Sequence, residues 1–216
     1  MLVVFDLDGT LIDSRRDLAD AANALIVERG GDPLSVDAIT TMIGEGAATL
    51  VRRALTAAHI HEGHIDGALE RFLQLYDDRL LAHTHLYEGI DGVLRDLSDC
   101  AALAVLTNKP LGATRRILEG LGILRAFRWV LGGDGPHPRK PDPEGLVQIV
   151  ANAGVGREDT IMVGDSGIDL ATAHAAGCVM CLARYGFGYR EGLLVRGDEL
   201  VVDKPADLRT LVSTRR

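Results

Sequence analysis

The chain has 216 residues, 47% apolar and 25% charged, enough for one domain or a core domain with a small insert, and unlike a disordered or collagen-like chain. With 31 acidic against 23 basic residues the net charge is −8, aromatics are only 4%, and no basic run forms an electrostatic footprint, so nucleic acid and anionic membranes are excluded as expected partners. Three cysteines fit a reducing compartment, and neither a signal-peptide core nor an apolar stretch of ~18 residues occurs, so the expectation is a soluble cytoplasmic protein.

The first predicted element is a short apolar strand, Leu2 to Phe5, which meets Asp6 and Asp8 almost at once. From about Ser14 to Tyr87 no buried strand is evident. Helical spacing appears instead at Asp17 to Glu28, Ala47 to Ala58 and Gly67 to Leu81, with turns at Gly30-Gly31-Asp32-Pro33 and Gly44-Glu45-Gly46. That is too much chain for one crossover and reads as an all-helical insert over 14–87, the remainder of the fold being 1–13 and 88–216. Strands follow at Leu103 to Leu106, Trp129 to Leu131, Ile161 to Val163 and Val179 to Leu182, alternating with helices at Leu111 to Leu121, Pro143 to Ala153 and Ile168 to Ala176. The strand runs lack polar alternation, which suits strands covered on both faces, and strand-then-helix repetition predicts an α/β fold with a parallel sheet. Arg215 and Arg216 are expected to fray.

Chemistry gathers at the strand ends. In an extended chain residues i and i+2 face one side, so Asp6 and Asp8 emerge together at the carboxyl end of a strand, where open parallel sheets put their ligands. Such a pair repels itself unless a cation such as Mg²⁺, shared with a substrate phosphate, sits there; the bland alternative is a solvated turn. Thr107-Asn108-Lys109-Pro110 supplies a hydroxyl and loop amides before a helix whose N-terminus favours an anion. Arg139-Lys140-Pro141-Asp142-Pro143 holds a cation between prolines, and Gly164-Asp165-Ser166-Gly167-Ile168-Asp169 adds two carboxylates and a hydroxyl. Individually, Thr107 or Asp165 reads equally as a helix N-cap and Lys140 as a surface charge. Jointly they supply a nucleophile, an acid, a metal site and an anion clamp on one sheet edge.

These four runs, in this order and spacing, resemble the haloacid dehalogenase superfamily of aspartate-nucleophile phosphatases, over nearly the whole chain. The resemblance implies a Rossmann-like core with helices on both faces and a helical-bundle cap inserted after the first strand. It implies that Asp6 is the nucleophile and Asp8 the acid and base; that Thr107, the Asn108 amide and Lys140 bind phosphoryl oxygens; and that Asp6, the Asp8 carbonyl and Asp165 hold Mg²⁺. Asp169 would orient Lys140 or metal-bound water, Ser166 would support it, and Thr10 would fix the loop holding Asp8. The implied partner is a small phosphorylated metabolite, with the protein a monomer or homodimer. Gly132-Gly133-Asp134, Ala175-Ala176-Gly177, Met42 to Ala47 and Tyr185-Gly186-Phe187-Gly188-Tyr189 are most similar to the phosphoglycolate phosphatases within the superfamily. Sugar-phosphate phosphatase, pyrophosphatase and phosphoglucomutase-like activities share the fold, and a phosphate-binding protein without turnover is a further alternative.

In the cap, Gly44, Glu45 and Gly46 form the candidate substrate loop, or else an ordinary turn between helices. An inward Glu45 would repel a substrate carboxylate; Arg52 or Arg53 would supply a cation there, or lie on a solvated helix face. Cys178-Val179-Met180-Cys181 has redox spacing, but strand geometry puts the two thiols on opposite faces. His59, His61 and His64 lack the companions of a zinc motif. Gly186-Phe187-Gly188 does not continue into a dinucleotide fingerprint.

Overall fold

The computed structural model describes residues 1–60, 66–193 and 197–213; His61, His64, Arg215 and Arg216 lie outside the described residues. The elements in chain order begin β1 (Leu2–Phe5), β2 (Ile12–Asp13), α1 (Arg15–Glu28), α2 (Val36–Thr40), α3 (Ala47–Ala57), α4 (Ala68–Asp77) and β3 (His85–Leu86). They continue α5 (Ile90–Ser98), β4 (Ala102–Leu106), α6 (Leu111–Gly120), β5 (Trp129–Leu131), α7 (Glu144–Ala153), β6 (Thr160–Gly164), α8 (Gly167–Ala176), β7 (Val179–Ala183), β8 (Leu200–Val202) and α9 (Leu208–Ser213). Two compact units result, Met1–Asp13 with Leu86–Arg216, and Ser14–His85.

In the first unit β1 pairs in parallel with β4 on one edge and β6 on the other, which is why its four residues are all apolar and all buried. The sheet runs β5-β4-β1-β6-β7-β8, every pairing parallel. From β1 the chain builds outward to β4 and β5, then returns to β6 on the opposite side. That reversal opens a crevice beyond the carboxyl ends of β4, β1 and β6. Alternation along β1 splits its side chains between two faces: Leu2 and Val4 join Leu146 and Ile149 of α7 and Leu170 and Ala173 of α8 in one cluster. Toward the other face Phe5 meets Phe127 edge-on at 6.3 Å, and α5 packs against β4. The α/β fold with helices on both sheet faces agrees with the sequence reading. Several details differ, these among them. β5 is half-buried rather than covered, because it is an edge strand with one neighbour; β8 and the nine-residue α5 were not foreseen, being short elements with little sequence in which periodicity can develop.

The second unit packs α1 against α2, α3 and α4. Its helix α4 stops at Asp77, short of the expected Leu81. Beyond it the chain is drawn to α1, where the buried Asp17 carboxylate accepts the His83 N–H at 3.0 and 2.9 Å, the Thr84 N–H at 2.8 Å and the Thr84 hydroxyl at 2.7 Å. No helix among the described residues is long and apolar enough to cross a membrane.

Candidate active site

Asp6 stands where β1 leaves the sheet, its N–H still bonded to the Val163 carbonyl at 2.8 Å, so it is level with the end of β6. The chain then turns tightly, the Leu11 and Ile12 amides returning to the Leu7 carbonyl at 3.0 and 3.1 Å. Gly9 permits this turn twice over: its φ of 86° is left-handed, and the space a Cβ would take is filled by the Asp165 carboxylate.

Lys140 is 3% exposed at its side chain and places Nζ 2.7 Å from Asp6 Oδ1 and 2.6 Å from Asp169 Oδ1. Burial opposes its charge, but Asp169 and Asp6 outweigh burial and hold its pKa above the ordinary lysine value. Asp169 is itself fixed at the start of α8, where Ser166 Oγ donates to its Oδ2 at 2.6 Å and caps the helix in return. The Asn108 side-chain amide donates to the Lys140 carbonyl at 3.0 Å, joining the loop after β4 to the loop after β5. Asp165 accepts the Gly188 N–H at 2.7 Å, and a Cβ at Gly186 would run into both Asp165 and the Gly9 carbonyl.

The ligand oxygens of Asp6, Asp165 and Asp169 all lie within 4.8 Å of one another, and all three residues are buried. Burial, with Asp169 and Asp8 nearby, raises the Asp6 pKa from 3.8 to about 7 against the opposing pull of Lys140. Burial also pushes Asp165 well above the usual carboxylate range, reinforced by Asp169 and Asp6 and only partly offset by the Gly188 amide and Lys140. Three buried carboxylates with one ammonium among them carry more negative charge than their surroundings neutralise. An oxygen-only donor set of this kind fits a hard divalent cation such as Mg²⁺.

Thr107 is buried, its hydroxyl accepting the Lys109 N–H at 3.2 Å. Thr10 is fully buried too; its carbonyl accepts the Tyr185 hydroxyl at 2.9 Å, while its own Oγ1 has no hydrogen-bond partner. Neither Thr107 nor Asp165 is a helix N-cap: Ser166 caps α8 and Pro110 precedes α6. The N-terminus of α6, expected to favour an external anion, already has one from the chain, since the Leu111 N–H donates to Asp134 Oδ1 at 2.7 Å.

Gly44, Glu45 and Gly46 belong to the helical unit, where Gly46 (φ 89°) precedes α3 and Glu45 Oε1 lies 2.5 Å from Arg53 Nη2. That pair gives Arg53 a partner within its own unit on an exposed face, in keeping with the solvated helix face weighed above. The zinc reading of His59, His61 and His64 falls outside the described residues at its last two positions. Cys178 and Cys181 are free, and burial pushes the Cys181 thiol up to about 12, which makes it inert.

Four contributors were not foreseen: Lys109, whose Nζ lies 3.1 Å from Asp8 Oδ2, and Tyr185, Gly186 and Gly188. Lys109 lay inside a recognised run, but a loop lysine has no periodicity to aim it. The run Tyr185-Gly186-Phe187-Gly188-Tyr189 was read as a family likeness and as lacking a dinucleotide fingerprint, with no role given to its glycines, which leave room for Asp165.

Comparison with known proteins agrees with this geometry. Residues 3–183 match the model of the haloacid dehalogenase-like hydrolases. Phosphoglycolate phosphatase 1 of Pseudomonas aeruginosa is 36% identical over 96% of this chain and 78% of its own length. The phosphoglycolate phosphatase of Cereibacter sphaeroides is 39% identical over 92% of this chain and 94% of its own. A crystal structure from Haemophilus somnus, described as a predicted phosphoglycolate phosphatase, superposes with a TM-score of 0.91 at 30% identity, covering 97% of this chain and 96% of that one. The chain belongs to the haloacid dehalogenase-like hydrolase family.

Proposed function

We propose that this protein is a Mg²⁺-dependent phosphomonoesterase working through a phospho-Asp6 intermediate, with 2-phosphoglycolate as its substrate. One observation carries the reading: a buried Asp6 whose carboxylate is gripped by Lys140, itself fixed by Asp169, beside a second buried carboxylate on Asp165.

Asp6, Asp165 and the Asp8 backbone carbonyl would hold Mg²⁺, which when bound neutralises charge between nucleophile and phosphate. A carboxylate oxygen of Asp6 attacks phosphorus, forming a new P–O bond while the bond to the leaving oxygen breaks. The electron pair left on that oxygen takes a proton from the Asp8 carboxyl. Water then attacks the aspartyl phosphate and gives its proton to the Asp8 carboxylate, and cleavage of the P–O bond to Asp6 restores the starting carboxylate. Lys140, Thr107 and Asn108 bind the equatorial oxygens, where charge spreads in the transition state. Asp169 and Ser166 keep Lys140 in line, and Thr10 stiffens the Asp8 turn.

The substrate reading draws on the names of the relatives and on the helical unit, taken here as the substrate-selecting cap (14–87) inserted into the catalytic core (1–13 and 88–216). Glu45, whose charge would oppose a substrate carboxylate, is paired with Arg53. Cytoplasmic location and action on a small phosphorylated metabolite, without nucleic acid or membrane, complete the proposal.

Phosphate release from phosphoglycolate, sugar phosphates, pyrophosphate and an aryl phosphate tests it, with Mg²⁺ and with chelator. A lead of ~100-fold in kcat/KM for phosphoglycolate, about 2.7 kcal/mol of transition-state discrimination, is expected. A sugar-biased profile that still requires Mg²⁺ and Asp6 rejects the substrate and keeps the mechanism. Absence of turnover on every compound rejects both.

A further inference from the structure

We propose that Lys109 is the positioning residue for Asp8, holding its carboxyl group on the leaving-group side of the phosphate; this rests on the reading of Asp8 as proton carrier given above. Lys109 Nζ lies 3.1 Å from Asp8 Oδ2, with 4% of the lysine side chain and 14% of the aspartate side chain exposed. A lysine so enclosed has given up most of its rotamer freedom, so the ammonium is a fixed point rather than a wandering surface charge.

Its backbone is fixed as firmly. The Lys109 N–H donates to Thr107 Oγ1 at 3.2 Å, and its carbonyl accepts the Gly133 N–H at 2.8 Å. Gly133 approaches so closely that a Cβ there would run into the Asn108 backbone. The loop that carries Thr107 and Asn108 therefore also sets the lysine, and through it ties the turn after β1 to the end of β4. The two buried lysines divide the site between them: Lys140 serves the nucleophile and Asp169, Lys109 the acid and base. Lys109 neither gives nor takes a proton. When the Asp8 proton has moved to the leaving oxygen, the carboxylate that remains faces an ammonium, and the same pair is in place when water returns the proton.

Leaving-group dependence separates this role from a structural one. Initial rates for wild type and Lys109→Met, each with Mg²⁺, are measured on phosphoglycolate, ethyl phosphate and 4-nitrophenyl phosphate. Nitrophenolate departs without protonation; glycolate and ethoxide do not. The expected result is a kcat/KM ratio, alkyl over aryl, that falls by about 30-fold for both alkyl phosphates, less than the ~10²–10⁴-fold that general acid catalysis supplies because Asp8 itself is still present. Asp8→Asn should lower the same ratio, and adding Lys109→Met to it should lower the ratio little further, because both changes remove one function. Equal losses of kcat/KM on all three substrates would assign Lys109 to phosphate binding or to the fold and overturn the proposal. A loss confined to phosphoglycolate and expressed in KM would make it a substrate-carboxylate ligand and overturn it as well. If Asp8→Asn itself loses all three equally, the reading of Asp8 fails first. Lys109→Gln, measured the same way, replaces the methionine variant if circular dichroism finds that variant unfolded.

Discussion

Both units of this protein bury carboxylates, and they treat them in opposite ways. Asp17 in the helical unit is surrounded by donors from its own chain: the amides of His83 and Thr84 and the Thr84 hydroxyl, all within 3.0 Å. Asp6 and Asp165 in the sheet unit are instead crowded by other carboxylates, with Lys140 and the Gly188 amide as partial compensation. A buried acid whose oxygens are completed by the backbone is a fastener. A group of buried acids left with excess charge is an arrangement that a bound cation would relieve.

Neutralising each kind of acid should break this comparison apart. Asp6→Asn is expected to abolish phosphate release, by ~1000-fold or more, while leaving the thermal midpoint near or above that of wild type, since a crowded buried charge is removed. Asp17→Ala should do the reverse: about 3 kcal/mol of stability lost in urea unfolding, from three donors left without an acceptor, with kcat little changed. Loss of stability in Asp6→Asn matching that of Asp17→Ala would erase the distinction.

Cation binding sharpens the contrast further. Saturating Mg²⁺, at ~100 times its dissociation constant, should stabilise the wild type by about 2.7 kcal/mol and Asp165→Asn by far less, read as a shift in thermal midpoint. An equal shift in both would exclude Asp165 as a ligand.

A further contrast lies in pH. Between 3.8 and about 7 the folded protein holds a proton on Asp6 that the unfolded chain has already lost. The metal-free wild type should therefore lose stability relative to Asp6→Asn as pH rises through that window, because the folded state binds more protons. Thermal midpoints of the two proteins in chelator, across that range, check the sign; a difference that moves the other way would mean Lys140 dominates burial.

Much of this was readable before any coordinates. The apolar runs of β1, β4, β6 and β7 are buried on both faces, which removes the polar alternation that would mark a half-exposed strand, so these runs alternating with helical spacing announced a parallel sheet. Asp6, Thr107, Lys140 and Asp165 follow strand or loop positions that a parallel sheet must bring to one edge, and strand-end placement is a topological fact that sequence order carries. The edge strand β8, the early end of α4 and the pairing of Glu45 with Arg53 were not readable, since each depends on which neighbour happens to be in reach.

What the sequence determined by itself is thus the inventory and its order: which strands are central, where acids, hydroxyl and lysine leave the sheet, and that a helical insert interrupts the first crossover. The tertiary structure decided the partners. Lys109 meets Asp8, Gly188 meets Asp165 across 23 residues, Tyr185 meets the Thr10 carbonyl across 175, and Asp17 meets Thr84 across 67. Local periodicity reports on the face a residue shows, but a loop side chain is aimed by packing from distant elements, and that information exists only once the chain has closed on itself.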